Sequence, residues 1–316
     1  MRYIEDLKED ERVLEHYICK EKKLNKSKNG KSYLNLTLLD KTGTVNGKVW
    51  DLNKDIHNFE EGDFIKIDGL VTMFNNERQI KISRIRKSKE GEYEKADYIP
   101  TTDKDIEVLY SHILLFIEET SNKYLKTLLE NIFIHNKDIV AKVKTHSAAK
   151  NVHHAYLGGL IEHIVSVTET CLFFMPRYKF INRDILVAGA LLHDIGKIIE
   201  LSPLPENKYT DEGQLLGHIL IGIDLVSKEA SKIENFPHET LILLKHLIAS
   251  HHGELLYGSP QTPRTIEAMV LHLADNADSR IKIFEEALAK SNEGDLWIGY
   301  NNLLQRDIRK TWLERE

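Results

Sequence analysis

The chain has 316 residues, 41% hydrophobic and 29% charged, with a formal net charge of −6. That length exceeds a typical single domain, so two domains are expected, and the composition is that of a soluble globular protein, not a disordered one. No apolar run is long enough for a membrane span, and the opening Met1–Asp10 is too acidic for a secretory signal.

The two cysteines, Cys19 and Cys171, fall in different predicted domains, which argues against a disulfide framework and makes a reducing cytoplasm the expected setting. Charge is unevenly placed: residues 13–90 carry 16 Lys+Arg against 11 Asp+Glu, leaving a balance of −11 to the rest of the chain. A mildly basic module joined to an acidic body points to an anionic partner for the first part.

Residues 1–12 are a short charged lead-in. From Val13 to about Lys89, short alternating runs between turn residues predict an all-β segment. After a turn tipped by Asn29-Gly30, Leu34, Leu36 and Leu38 face inward, opposite Tyr33, Asn35 and Thr37. Beyond the turn Asp40–Gly43, the inner face continues with Val45, Gly47 and Val49, leaving Asn46, Lys48 and Trp50 outside. The next run sets Ile65, Ile67, Gly69, Val71 and Met73 inward and Phe74 outward, and a last strand spans Gln79–Ile85.

About five strands in this length predict a small closed barrel. On the runs Tyr33–Gly43, Val45–Asp51 and Gly62–Gly69 it resembles an OB-fold of anticodon-binding and single-strand-binding domains. Tyr33, Trp50 and Phe74 fall outside the barrel, close to Lys31, Lys48 and Arg78. Aromatic faces with interleaved cations suit base stacking. The alternative is that the rings cover the barrel's ends or pack on the second domain.

Residues 87–100 are polar, end in Pro100 and read as a linker. Helical periodicity begins at Asp103, with Ile106, Leu109, Tyr110, Ile113, Leu114 and Ile117 on one side. Short helices follow over 125–133 and 139–143, and the remainder to Trp312 reads helical, interrupted at Ser202–Pro205 and Gly258–Pro260. The expected organisation is a barrel at 1–90, a linker and connecting helices at 91–150, and an all-α domain at 151–316.

Within that domain the apolar run Ile185–Leu192, with Asp184 as its expected cap, leads into His193-Asp194-Ile195-Gly196-Lys197. A continuing helix would bring His193, Asp194 and Lys197 to one face. His163 lies upstream, and His218, His251-His252 and Asp275 follow, each on its own helical segment. Any one of these is more often a surface or capping residue than a ligand; the ordered set resembles the HD superfamily of metal-dependent phosphohydrolases over roughly 150–285.

The resemblance implies a primary metal site of His163, His193, Asp194 and Asp275. Two imidazoles and two carboxylates leave positions open for water or a phosphate oxygen. His218 with His251 or His252 implies a second ion bridged by Asp194; the alternative is a single ion, with these histidines on substrate phosphate. Nitrogen-rich ligation favours manganese, iron or cobalt over magnesium. Lys197 would neutralise the reacting phosphate or, with a depressed pKa, transfer a proton; its alternative role is a salt bridge to Asp194. His153 and His154, before Gly158-Gly159, and Arg264, at a helix start, are candidate phosphate contacts.

The barrel followed by His153–His163 and Leu271–Asn276 resembles the YhaM family of bacterial 3′–5′ exoribonucleases over nearly the whole chain. It departs at Ala277 and Ser279-Arg280, where Leu and Ala-Lys are expected, which bears on substrate preference. The family implies release of nucleoside 5′-monophosphates from the 3′ end of single-stranded RNA, with single-stranded DNA also open. The rivals are a small-nucleotide or cyclic-dinucleotide phosphohydrolase with a regulatory barrel, and a non-catalytic single-strand-binding protein. Oligomeric state is not legible.

Overall fold

The computed structural model describes residues 2–26, 30–52, 55–74, 77–94, 97–150, 154–289, 291 and 294–311. By packing, the chain falls into two units, Met1–Thr101 with Leu204–Glu206, and Thr102–Pro203 with Asn207–Glu316. Among the described residues no helix is long and apolar enough to cross a membrane. Cys19 and Cys171 are buried free thiols, one in each unit.

The first unit is a closed five-stranded barrel of β1 (Arg12–Lys26), β2 (Ser32–Asp40), β3 (Gly43–Val49), β4 (Phe64–Phe74) and β5 (Glu77–Lys87), in the order β1-β2-β3-β5-β4. All pairings are antiparallel except β3 with β5. The alternation read from sequence meets the core: Leu36, Leu38, Val45, Val49, Ile65, Ile67, Val71 and Ile80 are buried. The β2–β3 turn is held by Asp40, whose carboxylate accepts from the Thr42 N–H (2.8 Å), the Thr42 hydroxyl (2.6 Å) and the Ile4 N–H (2.7 Å). That is the local bonding an Asx residue supplies to a tight turn.

Met73 does not follow the inward expectation. It is 42% exposed, because past Val71 the β4–β5 hairpin (Phe74 opposite Glu77) runs on beyond the core that the alternation serves. The stretch read as a linker is folded onto the barrel: Tyr93 stacks on Phe64 at 3.9 Å between centroids, Tyr98 meets Phe64 edge-on at 5.2 Å, and Tyr98 is buried.

The second unit contains α1 (Ile106–Glu118), α2 (Lys123–Glu130), α3 (Lys137–Thr145), α4 (Gly159–Phe174), α5 (Arg183–Leu192), α6 (Lys197–Glu200), α7 (Asp211–Ala230), α8 (His238–Ser250) and α9 (Ile266–Ala289). Helix α5 is apolar on every side and buried from Ile185 to Leu192, packed among α4, α8 and α9. A helix with no polar face is stable only when enclosed in this way. Its cap is Asn182, which accepts from the Ile185 N–H (3.2 Å), not Asp184. Asp184 instead accepts from the Ser121 and Asn122 N–H groups (3.1 and 2.7 Å), tying α5 to the turn before α2.

The helical reading fails near the end, where β6 (Trp297–Asn301) and β7 (Arg306–Arg309) form an antiparallel hairpin. Asn301 accepts from the Leu303 and Leu304 N–H groups (3.0 Å each), Gly299 and Gln305 adopt positive φ, and Leu304 and Ile308 are buried. Local turn bonding by Asn here outcompetes helix continuation.

Candidate metal centre and nucleic-acid face

His193 caps the C-terminus of α5, and the chain then turns through Asp194–Gly196 before α6 begins at Lys197. The helix therefore does not continue as expected, yet Lys197 still reaches Asp194, with Nζ 2.6 Å from Oδ2. Two glycines make the turn fit against α7. A Cβ on Gly196 would lie 2.0 Å from the His218 carbonyl oxygen, and Gly217, at φ 72 and ψ 158, breaks α7 so that it restarts at His218. The freed His218 N–H donates to Glu200 Oε1 at 2.9 Å.

Six helical segments bring the candidates together around Asp194. His163 (α4) sets Nε2 3.3 Å from Asp194 Oδ2, 3.2 Å from Asp275 Oδ1 (α9) and 3.2 Å from His193 Nε2. On the other side, His218 and His251 place Nε2 3.5 and 3.7 Å from Asp194 Oδ1. His163, His193 and Asp275 can each bring one ligand atom within 4.8 Å of the others, and so can His218, His251 and His252. Asp194 thus presents one oxygen to each group.

The tautomers follow from the outer contacts, because a carbonyl can only accept. His193 Nδ1 donates to the Ala190 carbonyl (2.7 Å), His251 Nδ1 to Ile248 (2.7 Å) and His252 Nδ1 to Tyr257 (3.0 Å). His218 Nδ1 faces Glu200 Oε1 at 3.1 Å and His163 Nδ1 faces Asp278 Oδ2 at 2.7 Å. All five rings are therefore oriented with Nε2 toward the interior, the outer-shell arrangement of metal-ligating imidazoles.

Two features test whether a cation fits here. Asp194 Oδ1 and His218 Nε2 are buried with no hydrogen-bond partner, a costly state for polar atoms left unfilled. The His163 and His193 Nε2 atoms, 3.2 Å apart, also oppose lone pair to lone pair unless a cation or proton lies between them. The donor set fits a divalent ion.

The electrostatics agree. Burial holds the His251 imidazole well below its ordinary pKa and lowers His193 and His252 as well, keeping them neutral. Burial opposes charge on His163 too, but Asp194, Asp275 and Asp278 outweigh it and hold this ring's pKa well above the usual value. For Lys197, burial lowers the pKa and the Asp194 carboxylate more than restores it, so the ammonium stays charged. The depressed pKa expected for a proton-transferring lysine is not found.

The centre opens into a cavity of about 590 Å³ whose lining includes Asp194, Lys197, His218, His251, His252 and Asp275. His163 and His193 are fully buried beneath it. The two candidate phosphate contacts among the described residues, His154 and Arg264, are not among the residues that line this cavity. His154 is buried, with Nε2 3.1 Å from Asp278 and Nδ1 2.9 Å from the Tyr156 hydroxyl, and is not among the lining residues. Arg264 is exposed, its backbone N–H donating to His246 Nε2 at 2.9 Å, and it too is absent from the lining. His153 lies outside the described residues.

Sequence reasoning missed Asp278 and Glu200. Asp278 accepts from His163, His154 and the Ser166 hydroxyl; its position three residues after Asp275, on one face of α9, was the available signal.

On the barrel, Tyr33 and Trp50 stack at 4.6 Å between centroids, and Lys48 Nζ lies 5.4, 5.7 and 5.9 Å from the Tyr33, Trp50 and Phe74 rings. Trp50 is 39% and Phe74 61% exposed, so these rings do not pack into the core. Arg78 does not join them: its guanidinium donates to the carbonyls of Ile4, Glu5 and Leu7. Lys31 pairs with Asp51 at 3.0 Å.

Family models for an HD domain and an OB-fold nucleic acid binding domain match residues 160–280 and 20–88. A "3'-5' exoribonuclease YhaM" of Geobacillus sp. is 34% identical over 269 residues, 84% of this chain and 82% of that protein. A Bacillus velezensis protein of the same name is 32% identical over 287 residues, 90% of each. The chain belongs to the YhaM family. Among solved structures, the second OB-fold domain of replication protein A from Methanococcus maripaludis aligns with 29% of this chain and 98% of its own, at 22% identity and a TM-score of 0.24. In this YhaM-family chain His163–Asp275 lie within the first matched region, and the second covers the barrel except for Arg12–Cys19 of β1.

Proposed function

We propose that this chain is a divalent-metal-dependent 3′–5′ exoribonuclease, cytoplasmic, that shortens single-stranded RNA and releases nucleoside 5′-monophosphates. The observation that carries it is the convergence of four imidazole Nε2 atoms on Asp194, with Asp275 and His252 beside them, in a chain whose YhaM relatives bear that activity in their names. His163, His193, Asp194 and Asp275 would hold one ion, and His218, His251 and His252, with the other Asp194 oxygen, a second. The nitrogen content favours manganese, iron or cobalt. Such ions, when bound, supply an activated water and neutralise the scissile phosphate.

The chain's own residues do the rest. Asp278 and Glu200 fix the orientation of His163 and His218. Lys197, held cationic, stands beside Asp194 as a counter-charge for a phosphate entering the cavity. On the barrel, the Tyr33, Trp50 and Phe74 rings around Lys48 suit stacking of bases without reading their edges.

The test is incubation of metal-loaded protein with 5′-labelled and 3′-labelled single-stranded RNA and DNA, and with cyclic dinucleotides. A 5′-labelled RNA ladder that shortens stepwise, with immediate release of labelled mononucleotide from the 3′-labelled strand, is expected. Hydrolysis of cyclic dinucleotides alone would replace this reading with that of a small-nucleotide phosphohydrolase.

A further inference from the structure

Two loop segments of the helical unit meet at the cavity, residues 147–150 and 207–210. Asn207 ties them together: its Nδ2 donates to the Ala149 and Lys150 carbonyls (2.9 and 3.0 Å), and its Oδ1 accepts from the Ser147 hydroxyl (2.6 Å). The residue is buried and sits at φ 47, a left-handed conformation that asparagine tolerates better than most residues. Tyr209 then forms a β-bridge with Leu201, and the Thr210 N–H donates to the Glu200 carbonyl at 2.9 Å. The backbone on both sides of Tyr209 is thereby fixed to the segment that supplies Lys197 and Glu200.

Lys150 and Tyr209 both line the cavity, with Lys150 Nζ 5.3 Å from the Tyr209 ring centroid. The ring is nonetheless 45% exposed, so it keeps surface for a ligand. Arg280 lines the same cavity from α9, its Nε donating to the neutral side chain of Asn276 at 2.7 Å. A half-exposed aromatic on a fixed backbone, with one cation beside it and another on the wall of the same polar cavity, which also holds the His/Asp cluster, has the chemistry of a nucleotide subsite: a base over the ring and a phosphate toward the cations.

We infer that Tyr209 and Lys150 form a subsite for the terminal nucleotide, Tyr209 stacking on its base while Lys150 and Arg280 flank its phosphate. The inference rests on the exoribonuclease reading for the identity of that nucleotide, and it makes Tyr209 the residue by which the centre senses the presence of a base. Every base has a π-face, so all four nucleotides are accepted.

The experiment compares binding of adenosine 5′-monophosphate and ribose 5-phosphate to the full-length protein by calorimetry. The unmutated chain is expected to prefer the nucleotide by roughly 5–150-fold, the equivalent of ~1–3 kcal/mol for one stacked base. Tyr209→Leu should bring the ratio to near one without changing the affinity for ribose 5-phosphate, which also reports an intact fold. Tyr209→Phe should keep the preference, and Lys150→Ala should weaken both ligands alike. Equal binding of the two ligands by the unmutated chain, or an equal loss of both in Tyr209→Leu, overturns the subsite. A chain that prefers the nucleotide in this Tyr209-dependent way but does not shorten RNA supports the subsite and refutes the exoribonuclease reading instead.

Discussion

Asp278→Asn separates the ligands from the shell that orients them. The carboxylate faces His163 Nδ1 at 2.7 Å and His154 Nε2 at 3.1 Å, and also accepts from the Ser166 hydroxyl. Asparagine keeps the shape and one acceptor oxygen but loses the charge. A hydrogen bond to a charged group contributes about 1.5–3 kcal/mol and a neutral one about 0.5–1.5. The His163 contact alone should then weaken by about 1–1.5 kcal/mol, roughly 5–13-fold in metal affinity. With the amide oxygen kept toward His163 and His154, the NH2 replaces the oxygen that accepts from Ser166 and cannot accept, so the side chain's anchoring also loosens, and the total should fall within the roughly 10–100-fold range of outer-shell substitutions.

The assay is competition for manganese against a chromophoric chelator, with far-UV circular dichroism on the same samples to show that the helices persist. Activity at saturating metal should recover most of its loss, because the ligands themselves remain. An Asp278→Asn protein that melts earlier yet binds manganese as tightly as the unmutated chain would refute the orienting role and leave Asp278 as a packing and folding residue.

His218→Ala should lower bound metal from two equivalents toward one by elemental analysis, since it removes a donor from the side of Asp194 that faces His251; a fully active unmutated protein with one tightly held ion would reject the binuclear centre. Trp50→Ala removes a ring stacked on Tyr33 and near Lys48, and should raise the KM for long RNA by roughly 5–150-fold, the equivalent of ~1–3 kcal/mol, with little change in kcat. An unchanged KM at moderate salt would make the aromatics packing residues. The Arg86 guanidinium and the Lys89 N–H pull the Glu92 pKa down to about 2. A depressed carboxylate contributes stability above its unfolded value and loses it as pH falls through the folded one, so this pair should hold through pH 4.5 and fail toward pH 2. A carboxyl-carbon NMR titration should place the midpoint near 2 at low salt, rising in Arg86→Met; an ordinary midpoint in the unmutated chain would show that solvent screens the pair completely.

What could be read from sequence was whatever depends on residue type at fixed spacing. Barrel alternation survived from Leu34 to Val71 because one face of each strand meets the core, and failed at Met73, where no core remains to enforce it. The aromatic set was legible because Tyr33, Trp50 and Phe74 fall out of phase with that alternation; Arg78 was misplaced because carbonyl acceptors at Ile4, Glu5 and Leu7 leave no mark in a side-chain pattern. The partners of His154 were hidden for the same reason: Asp278 comes from far along the chain and Tyr156 folds back on it.

The candidate metal centre shows the boundary most clearly. The order of histidines and aspartates was visible, whereas the feature that orients two of them is not a residue type at all. His193 and His251 both occupy the C-cap of a helix, and each donates Nδ1–H to the carbonyl three residues earlier, Ala190 and Ile248. The last turn of any helix leaves carbonyls without an intrahelical partner. Here that deficit fixes the tautomer of two imidazoles and turns both Nε2 atoms toward Asp194. Extending α5 or α8 by one regular turn would consume those carbonyls and rotate the rings away. The short turn at Asp194–Gly196, in place of a continuing helix, is therefore what lets an apolar buried helix end in a candidate ligand.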